Sequence, residues 1–266
     1  MSQSAAGQDS HEREQHGVRT VKSADRTLAL LEYLMSVREP MTLRSVSEDL
    51  GIPRASAYAL LVTLQRRGWV DSAGSRFRLG LSALRAAASV IDLDDTVRAT
   101  EGIRNELAAQ LSETVHLARL DGTDVVYLQS FISPHSLSVV TRPGRRLPAW
   151  TTALGKALLA DRPWAEVDQL LPKRLEGITQ HSVTTRAALR RDLAEAAEAG
   201  YAQDDEENTI GLRCYAISVP LVDPPLYAIS VSVPTPRVTS KNEKQIIQAL
   251  RSARATLSTN WQAPQY

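Results

Sequence analysis

Arginine and lysine side chains are concentrated near the start of this 266-residue chain, where they could bind phosphate groups. Residues 18–85 contain eleven of them against six acidic residues, whereas the formal net charge of the whole chain is only +1. Basic side chains that neutralise phosphates supply much of the affinity of proteins for nucleic acid. A basic head on a mildly acidic body therefore indicates phosphate contact at one end only. A charged surface that merely faces water has the same composition. The predicted secondary structure is therefore needed to distinguish a phosphate-binding surface from a solvent-facing one.

Hydrophobic spacing predicts three helices within this basic stretch. Ser23 is a candidate N-cap for the first helix and Thr42 for the second, which Gly51 ends. Pro53 suits the first turn of the third helix. Two helices joined by a short turn that contains glycine form the helix-turn-helix pattern. The apolar face of the third helix consists of Leu60, Leu61 and Leu64.

A small hairpin follows the third helix. Residues 72–75 have the composition of a turn, and Arg76 and Arg78 then alternate with Phe77 and Leu79. Alternation with a period of two puts both arginines on one face of a strand and both apolar side chains on the other. We expect a wing that lays its arginines along a phosphate backbone while its apolar face closes the core.

Beyond residue 80 the chain predicts a different architecture. A linker helix at 81–92 comes first. Further helices are predicted at 94–111, 154–160, 187–199 and 242–257, and strands at 114–120, 124–130, 138–141, 213–221 and 226–233. The predicted fold class is α+β, in which helices flank an antiparallel sheet.

Composition excludes several classes of protein. Hydrophobic residues make up 43% and charged residues 23% of the chain, which is typical of a globular protein. No apolar stretch is long enough to span a bilayer, and the polar N-terminus has no signal core, so we expect a cytoplasmic protein without a membrane partner. A single cysteine, Cys214, excludes an internal disulfide and a Cys-rich zinc module. No metal or cofactor is expected.

The motifs and their order resemble the IclR family of bacterial transcription regulators. SADRTLALLEYL, LGIPRASAYALLVTLQRRGWV and RFRLG resemble its winged helix-turn-helix, and LPAWTTALGKALLA, AGYAQDDEENTIGLRCYAISVPLVD and LYAISVSVP follow in the family's order. The resemblance implies a GAF-like effector domain, a homodimer or homotetramer, and a repressor controlled by a small organic acid. The domains so predicted are a flexible arm (1–19), the winged helix-turn-helix (20–80), the linker helix (81–92) and the effector-binding domain (93–262).

The resemblance also implies which residues bind double-stranded operator DNA. The third helix would enter the major groove with its first turns facing base edges. Tyr58 could instead pack between helices, and Ala59 stands where family members usually carry an arginine, so the operator need not be a typical one. One head reads few base pairs, so we expect a dimer, paired through the first and linker helices. The predicted readout residues are Arg54, Ala55, Ser56 and Tyr58, and the predicted phosphate contacts are Arg44, Arg76 and Arg78.

The effector pocket of the family maps onto eight positions of this chain. Ala153 and Leu154 begin a helix, where backbone N–H groups and the helix dipole favour a carboxylate. Ser230 and Ser232 are two residues apart on a strand, so their hydroxyls point to the same side. Asp204 would accept a hydrogen bond from a hydroxyl of the ligand. The eight positions are Leu147, Ala153, Leu154, Asp204, Leu212, Cys214, Ser230 and Ser232.

Three alternatives remain open at this point. The first is an enzyme with Cys214 as nucleophile and His116 or His181 as base, but no histidine and no Gly-rich elbow adjoins this cysteine in the sequence, so an enzyme is not expected. The second is a sensor whose helix-turn-helix pairs with protein instead of DNA, which the basic head disfavours. The third is a zinc site at the same two histidines, although their spacing does not support one.

Overall fold

The computed structural model describes residues 20–260, and the chain divides between Ala88 and Ser89 into two compact units. We call them the head unit and the body unit. The predicted arm (1–19) and the last two residues of the predicted effector-binding domain, 261–262, lie outside the described residues. Among the helices described, none is long and apolar enough to cross a membrane.

The head unit contains three helices and a three-stranded antiparallel sheet of order β1-β3-β2. Thr42 caps the second helix as predicted, because its hydroxyl accepts from Ser45 N at 3.1 Å. The prediction for Ser23 is wrong: the N-cap is Val21, two residues earlier, and it makes no side-chain capping hydrogen bond. The elements are α1 (Lys22–Ser36), β1 (Met41–Thr42), α2 (Leu43–Asp49), α3 (Arg54–Arg66), β2 (Val70–Ala73) and β3 (Arg76–Leu79).

The body unit is built on a six-stranded antiparallel sheet of order β6-β5-β4-β9-β8-β7. Its strands are β4 (Thr114–Asp121), β5 (Asp124–Phe131), β6 (Arg146–Pro148), β7 (Ala202–Asp205), β8 (Leu212–Val219) and β9 (Tyr227–Pro234). The helices after the wing are α4 (Leu81–Asp92), which crosses the division, α5 (Asp95–Ala99), α6 (Glu101–Leu111), α7 (Ala153–Ala160), α8 (Trp164–Leu170), α9 (Arg186–Ala199) and α10 (Ser240–Asn260). The predicted α+β class is confirmed.

Each face of the body sheet covers its own hydrophobic core. On one face, which we call the α7 face, the small side chains of Ala118, Ala216 and Ala228 share a core with residues of α7, α8 and α9. The opposite face carries larger side chains, such as Leu117 and Ile229, which share a core with residues of α6 and α10. Small residues allow α7 to approach the strands closely, so the functional candidates on this helix lie against the sheet.

Two predicted elements differ from the structure. The helix expected at 94–111 is broken at Thr100. The buried Arg104 guanidinium donates to the Val97 carbonyl at 2.8 Å. In a continuous helix, that carbonyl would accept from a backbone N–H of the helix itself. The strand expected at 138–141 is not formed. It is flanked by prolines, which lack an N–H, and the edge of β5 pairs instead with β6. Four elements of the structure, α8, β1, β6 and β7, were not predicted.

Candidate functional site

The exposed side of α3 carries the predicted readout residues. Arg54, Ala55 and Tyr58 are exposed and Ser56 is half-buried. Tyr58 is 56% exposed, so it does not pack between helices of the head unit. The helix is held from behind by its buried side chains Ala57, Leu61 and Leu64. This arrangement leaves the first turns of α3 free to meet base edges, and DNA contact by these residues stays a prediction.

The three predicted phosphate-binding arginines are exposed and hold weak partners within the head unit. Arg44 pairs with Glu48 at 2.7 Å, Arg78 pairs with Asp71 at 3.0 Å, and Arg76 donates to the Pro40 carbonyl at 3.1 Å. Exposed ion pairs contribute about 0–1 kcal/mol, so a phosphate group can replace these partners.

Arg66, which was not predicted as a DNA contact, lies on the same side of α3 as Ala59. Ala59, where the family usually has an arginine, is exposed, and Arg66 is an exposed residue seven positions further along the helix. Seven residues make almost two full turns, so both positions lie on one face. Helical periodicity alone could have identified Arg66 as a second cation on the recognition side.

The strand register of the body unit brings the polar effector candidates into adjacent positions. Asp204 on β7 is opposite Cys214 on β8, which is opposite Ser232 on β9. Directly opposed residues point to the same face of a sheet, and the Cys214 sulfur lies 3.2 Å from the Ser232 hydroxyl. The predicted pair Ser230 and Ser232 is therefore on the α7 face, and both residues are almost wholly buried.

The remaining candidates surround this row. Ala153 and Leu154 are buried at the start of α7, and Cys214 belongs to the same core, against which Leu147 and Leu212 pack. Thr152 caps α7 by accepting from Gly155 N at 3.0 Å, so one N–H of the expected anion cradle is used by the protein itself. The structure thus brings all eight predicted positions to one side of the sheet.

Asp204 is the acidic residue of this row, and burial controls its charge. Its Oδ1 accepts from Glu207 N at 2.7 Å and from Asn208 N at 3.4 Å. Burial, reinforced by the charge of Glu207, nevertheless raises the pKa of Asp204 to about 7. At neutral pH the carboxyl group is therefore partly protonated, and it can donate as well as accept.

Two aromatic residues of the α7 face were not predicted as part of the effector site. His116 is opposite Ser230 and its Nδ1 lies 2.7 Å from the Ser130 hydroxyl. The His116 ring contacts Tyr127 edge to face, with centroids 5.2 Å apart. Burial lowers the pKa of His116 to about 4, so the imidazole is neutral at physiological pH. The two-residue period of β4 and β5 could have placed both side chains on this face.

Family models match both units of the chain. The model of the IclR helix-turn-helix domain matches residues 23–74, and that of the bacterial transcriptional regulator IclR C-terminal domain matches residues 88–259. The chain belongs to the IclR family. This IclR-family protein is therefore a DNA-binding transcriptional regulator with a C-terminal effector-binding domain.

Individual relatives agree with this assignment over most of the chain. The regulator XynR of Escherichia coli is 31% identical over 242 residues, 90% of this chain and 96% of the relative. The transcriptional repressor IclR of the same organism is 30% identical over 227 residues, 82% of each chain. An IclR homologue from Microbacterium hydrocarbonoxydans, crystallised with 4-hydroxybenzoate, matches the fold with a TM-score of 0.75 at 21% identity, covering 89% of this chain and 98% of that one.

The IclR-family assignment and the geometry both disfavour the cysteine enzyme. The matching relatives are regulators rather than enzymes. Burial and the nearby Asp204 raise the pKa of the Cys214 thiol, which keeps it protonated, whereas a nucleophilic cysteine needs a lowered pKa. Its polar neighbour is Ser232 and not an imidazole. Within residues 20–260, no cluster of three or more His, Cys, Asp or Glu side chains could hold a metal ion.

A buried ion pair in the regulator's body unit was also missed. Lys156, on α7, has only 3% of its side chain exposed and lies 2.6 Å from Glu207 Oε1 and 2.9 Å from Asp192 Oδ2. Within the described part of the chain, the other oxygen of Glu207 is buried without a hydrogen-bond partner. Because Glu207 N also donates to Asp204, this pair joins α7 to the segment that holds the acidic residue of the effector row.

Proposed function

We propose that this regulator represses transcription by binding operator DNA through α3 and the wing, and that a small organic acid bound on the α7 face releases it. The main observation in favour of this proposal is that the predicted readout side of α3 is exposed. The wing arginines of the same unit are also exposed and form only weak interactions within the protein. The named repressor among its relatives supports the direction of control. Operator binding would place the protein with the chromosome, in the bacterial cytoplasm.

A homodimer is part of this proposal, because α4 has an unburied apolar surface. No residue of α4 is buried, although Leu81, Leu84 and Val90 are large and apolar, and Leu93 follows directly. Pairing of two such helices would remove this surface from water and set two heads about 34 Å apart, or a multiple of that, on a palindromic site. Sedimentation of the wild-type protein as a monomer at micromolar concentration would contradict the dimer.

We expect Arg54→Ala to weaken binding to the regulator's own promoter fragment by about tenfold or more, because a bidentate contact to guanine contributes about 1–3 kcal/mol. The loss should be smaller on random duplex DNA, where only phosphate contacts remain. Fluorescence anisotropy at several salt concentrations measures both affinities. The wild type should bind more weakly as salt rises, since counterions are released on binding.

The control for this experiment is Arg174→Ala, which removes an exposed cation from the body unit and should leave DNA affinity unchanged. Equal losses on promoter and random DNA would show that Arg54 contacts only the backbone. Absence of wild-type binding even in dilute buffer would overturn the DNA-binding part of the proposal.

For the effector, we infer an organic acid whose carboxylate lies near the start of α7 and the Ser230–Ser232 pair. A charged Asp204 repels an anion and a protonated one can donate to it, so acid binding should weaken as the pH rises through about 7. The affinity should be about tenfold higher at pH 6 than at pH 8. Thermal-shift titrations with a panel of organic acids, 4-hydroxybenzoate included, measure this dependence.

Asp204→Asn provides the control, because an amide is neutral throughout this pH range and its acid binding should not vary with pH. His116 does not contribute to this pH dependence, since its pKa of about 4 keeps it neutral at both pH values. Stabilisation by a neutral sugar or an amine, with none by any acid, would refute the proposed effector class.

A further inference from the structure

The register of β5 and β6 places one arginine on the α7 face. Val125 is opposite Leu147, and Val126 is opposite Arg146. The backbone pairing continues one residue further, because Tyr127 N donates to the Arg145 carbonyl at 2.9 Å. Opposed residues share a face and successive residues alternate. Arg145 therefore lies on the side of Tyr127 and Leu147, whereas Arg146 lies on the other side.

The two neighbouring arginines differ in their partners. Arg146 forms ion pairs with Asp121 at 2.5 Å and with Asp124 at 3.1 Å. The Arg145 side chain is exposed and makes no hydrogen bond or ion pair with any residue that the structure describes. Burial lowers the pKa of His116 and the charge of Arg145 lowers it further, whereas burial raises the pKa of Tyr127 and the charge of Arg145 opposes that rise.

The Tyr127 hydroxyl on the same face also lacks a partner. Within residues 20–260, the Tyr127 hydroxyl makes no hydrogen bond, although the residue is only 8% exposed. The His116 ring contacts the Tyr127 ring, and His116 is opposite Ser230, which belongs to the carboxylate position at the start of α7. Among the described residues, the buried side-chain oxygen that lacks a partner is Glu207 Oε2, so the Tyr127 hydroxyl is accessible and not enclosed. A free cation next to an accessible hydroxyl that the protein does not use offers a place for an anionic group.

This place is separate from the carboxylate position at the start of α7. Ser230 lies on β9 and Tyr127 on β5, with β4 between them, so two strand spacings of about 4.8 Å each separate the two positions across the sheet. Two anion-favouring positions on one face fit a ligand with an acidic group at each end.

We propose that Arg145 and the Tyr127 hydroxyl bind a second carboxylate, and that the effector of this regulator is a dicarboxylic acid. The inference rests on the proposed acid-binding function and adds the second charge. Arg145 selects dicarboxylates over monocarboxylates because its guanidinium has no acidic partner within the described protein to compete with the ligand.

The test compares adipate with hexanoate and terephthalate with benzoate by isothermal titration calorimetry on the full-length protein. In the wild type, each dicarboxylate should bind about 10- to 100-fold more tightly than its monocarboxylate. Arg145→Ala should abolish this difference while leaving monocarboxylate binding unchanged. Arg145→Lys, which keeps the charge but loses the planar fork, should retain part of the difference.

The control is Arg142→Ala, which removes an exposed cation three residues away and should preserve the wild-type selectivity. If acids bind but Arg145→Ala has wild-type selectivity, or if the wild type does not prefer dicarboxylates, the inference is wrong and the proposed acid function stands. If no acid binds to the wild type, both the proposed function and the inference fall.

Discussion

Replacing Lys156 by alanine should lower the free energy of unfolding of the body unit by about 3–5 kcal/mol, the usual cost of removing one partner from a buried ion pair. Glu207 would keep its buried carboxylate but lose the ammonium group 2.6 Å from its Oε1, while its Oε2 already has no partner among the described residues. Asp192 is partly exposed, so water can replace the lysine there. The cost therefore falls mainly on Glu207.

The destabilisation caused by Lys156→Ala should depend on pH. Burial already raises the pKa of Glu207 above its ordinary value, and loss of the lysine charge removes an effect that lowers it. An acid whose pKa is raised by folding binds its proton more tightly in the folded state, so stability falls as the pH rises above the ordinary carboxyl range. The variant should therefore be closer to the wild type at pH 5 than at pH 8.

Urea titrations followed by hydrogen exchange of the α7 amides measure this stability in the full-length protein. Lys173→Ala, which removes an exposed lysine from the same unit, should change it by less than about 0.5 kcal/mol. Adding Glu207→Gln to Lys156→Ala should recover part of the loss, because an amide costs less to bury than an unpaired charge. A Lys156→Ala protein as stable as the Lys173→Ala control would show that the pair contributes nothing.

The head unit could be predicted closely because its elements depend on neighbours in the sequence. The helical period of Leu61 and Leu64 and the alternation of Phe77 and Leu79 with arginines are local patterns, and the structure buries or half-buries the predicted apolar side chains. The prediction of Ser23 as the N-cap was wrong because the helix already begins at Lys22, and weak local preferences set such boundaries.

The body unit could be predicted in class but not in its decisive contacts. The row of Asp204, Cys214 and Ser232 came from the family resemblance, since neither spacing nor composition reveals which strands are neighbours. Lys156 pairs with Glu207, which is 51 positions away in the sequence. Arg145 can be identified as a residue of the α7 face only when its backbone pairing with Tyr127 is known. These partners depend on strand order and helix packing, which follow from the whole chain and not from a local pattern.

Gly155→Ala should destabilise the body unit by about 3 kcal/mol or more, although alanine favours a helix by about 1 kcal/mol over glycine. A Cβ at this position would lie 2.2 Å from the Ala149 carbonyl oxygen and 2.3 Å from its Cα. Both atoms belong to the backbone of the turn before α7, so no side-chain rotation relieves the clash. The helix start has to move, and the steric cost exceeds the gain in helix propensity.

Gly102→Ala is the matched control, because this glycine is also helical, near the start of α6, and a Cβ there meets nothing within 4 Å. It should stabilise the protein by about 0.4–1 kcal/mol. Urea unfolding measures the change in the free energy of unfolding for both substitutions. If these changes have opposite signs, steric contact and not helix propensity determines the effect of the substitution at Gly155. Because Ala153 and Leu154 move with the helix start, Gly155→Ala should also weaken acid binding. If the variant has wild-type stability and wild-type acid affinity, α7 does not need its close contact with the backbone of Ala149.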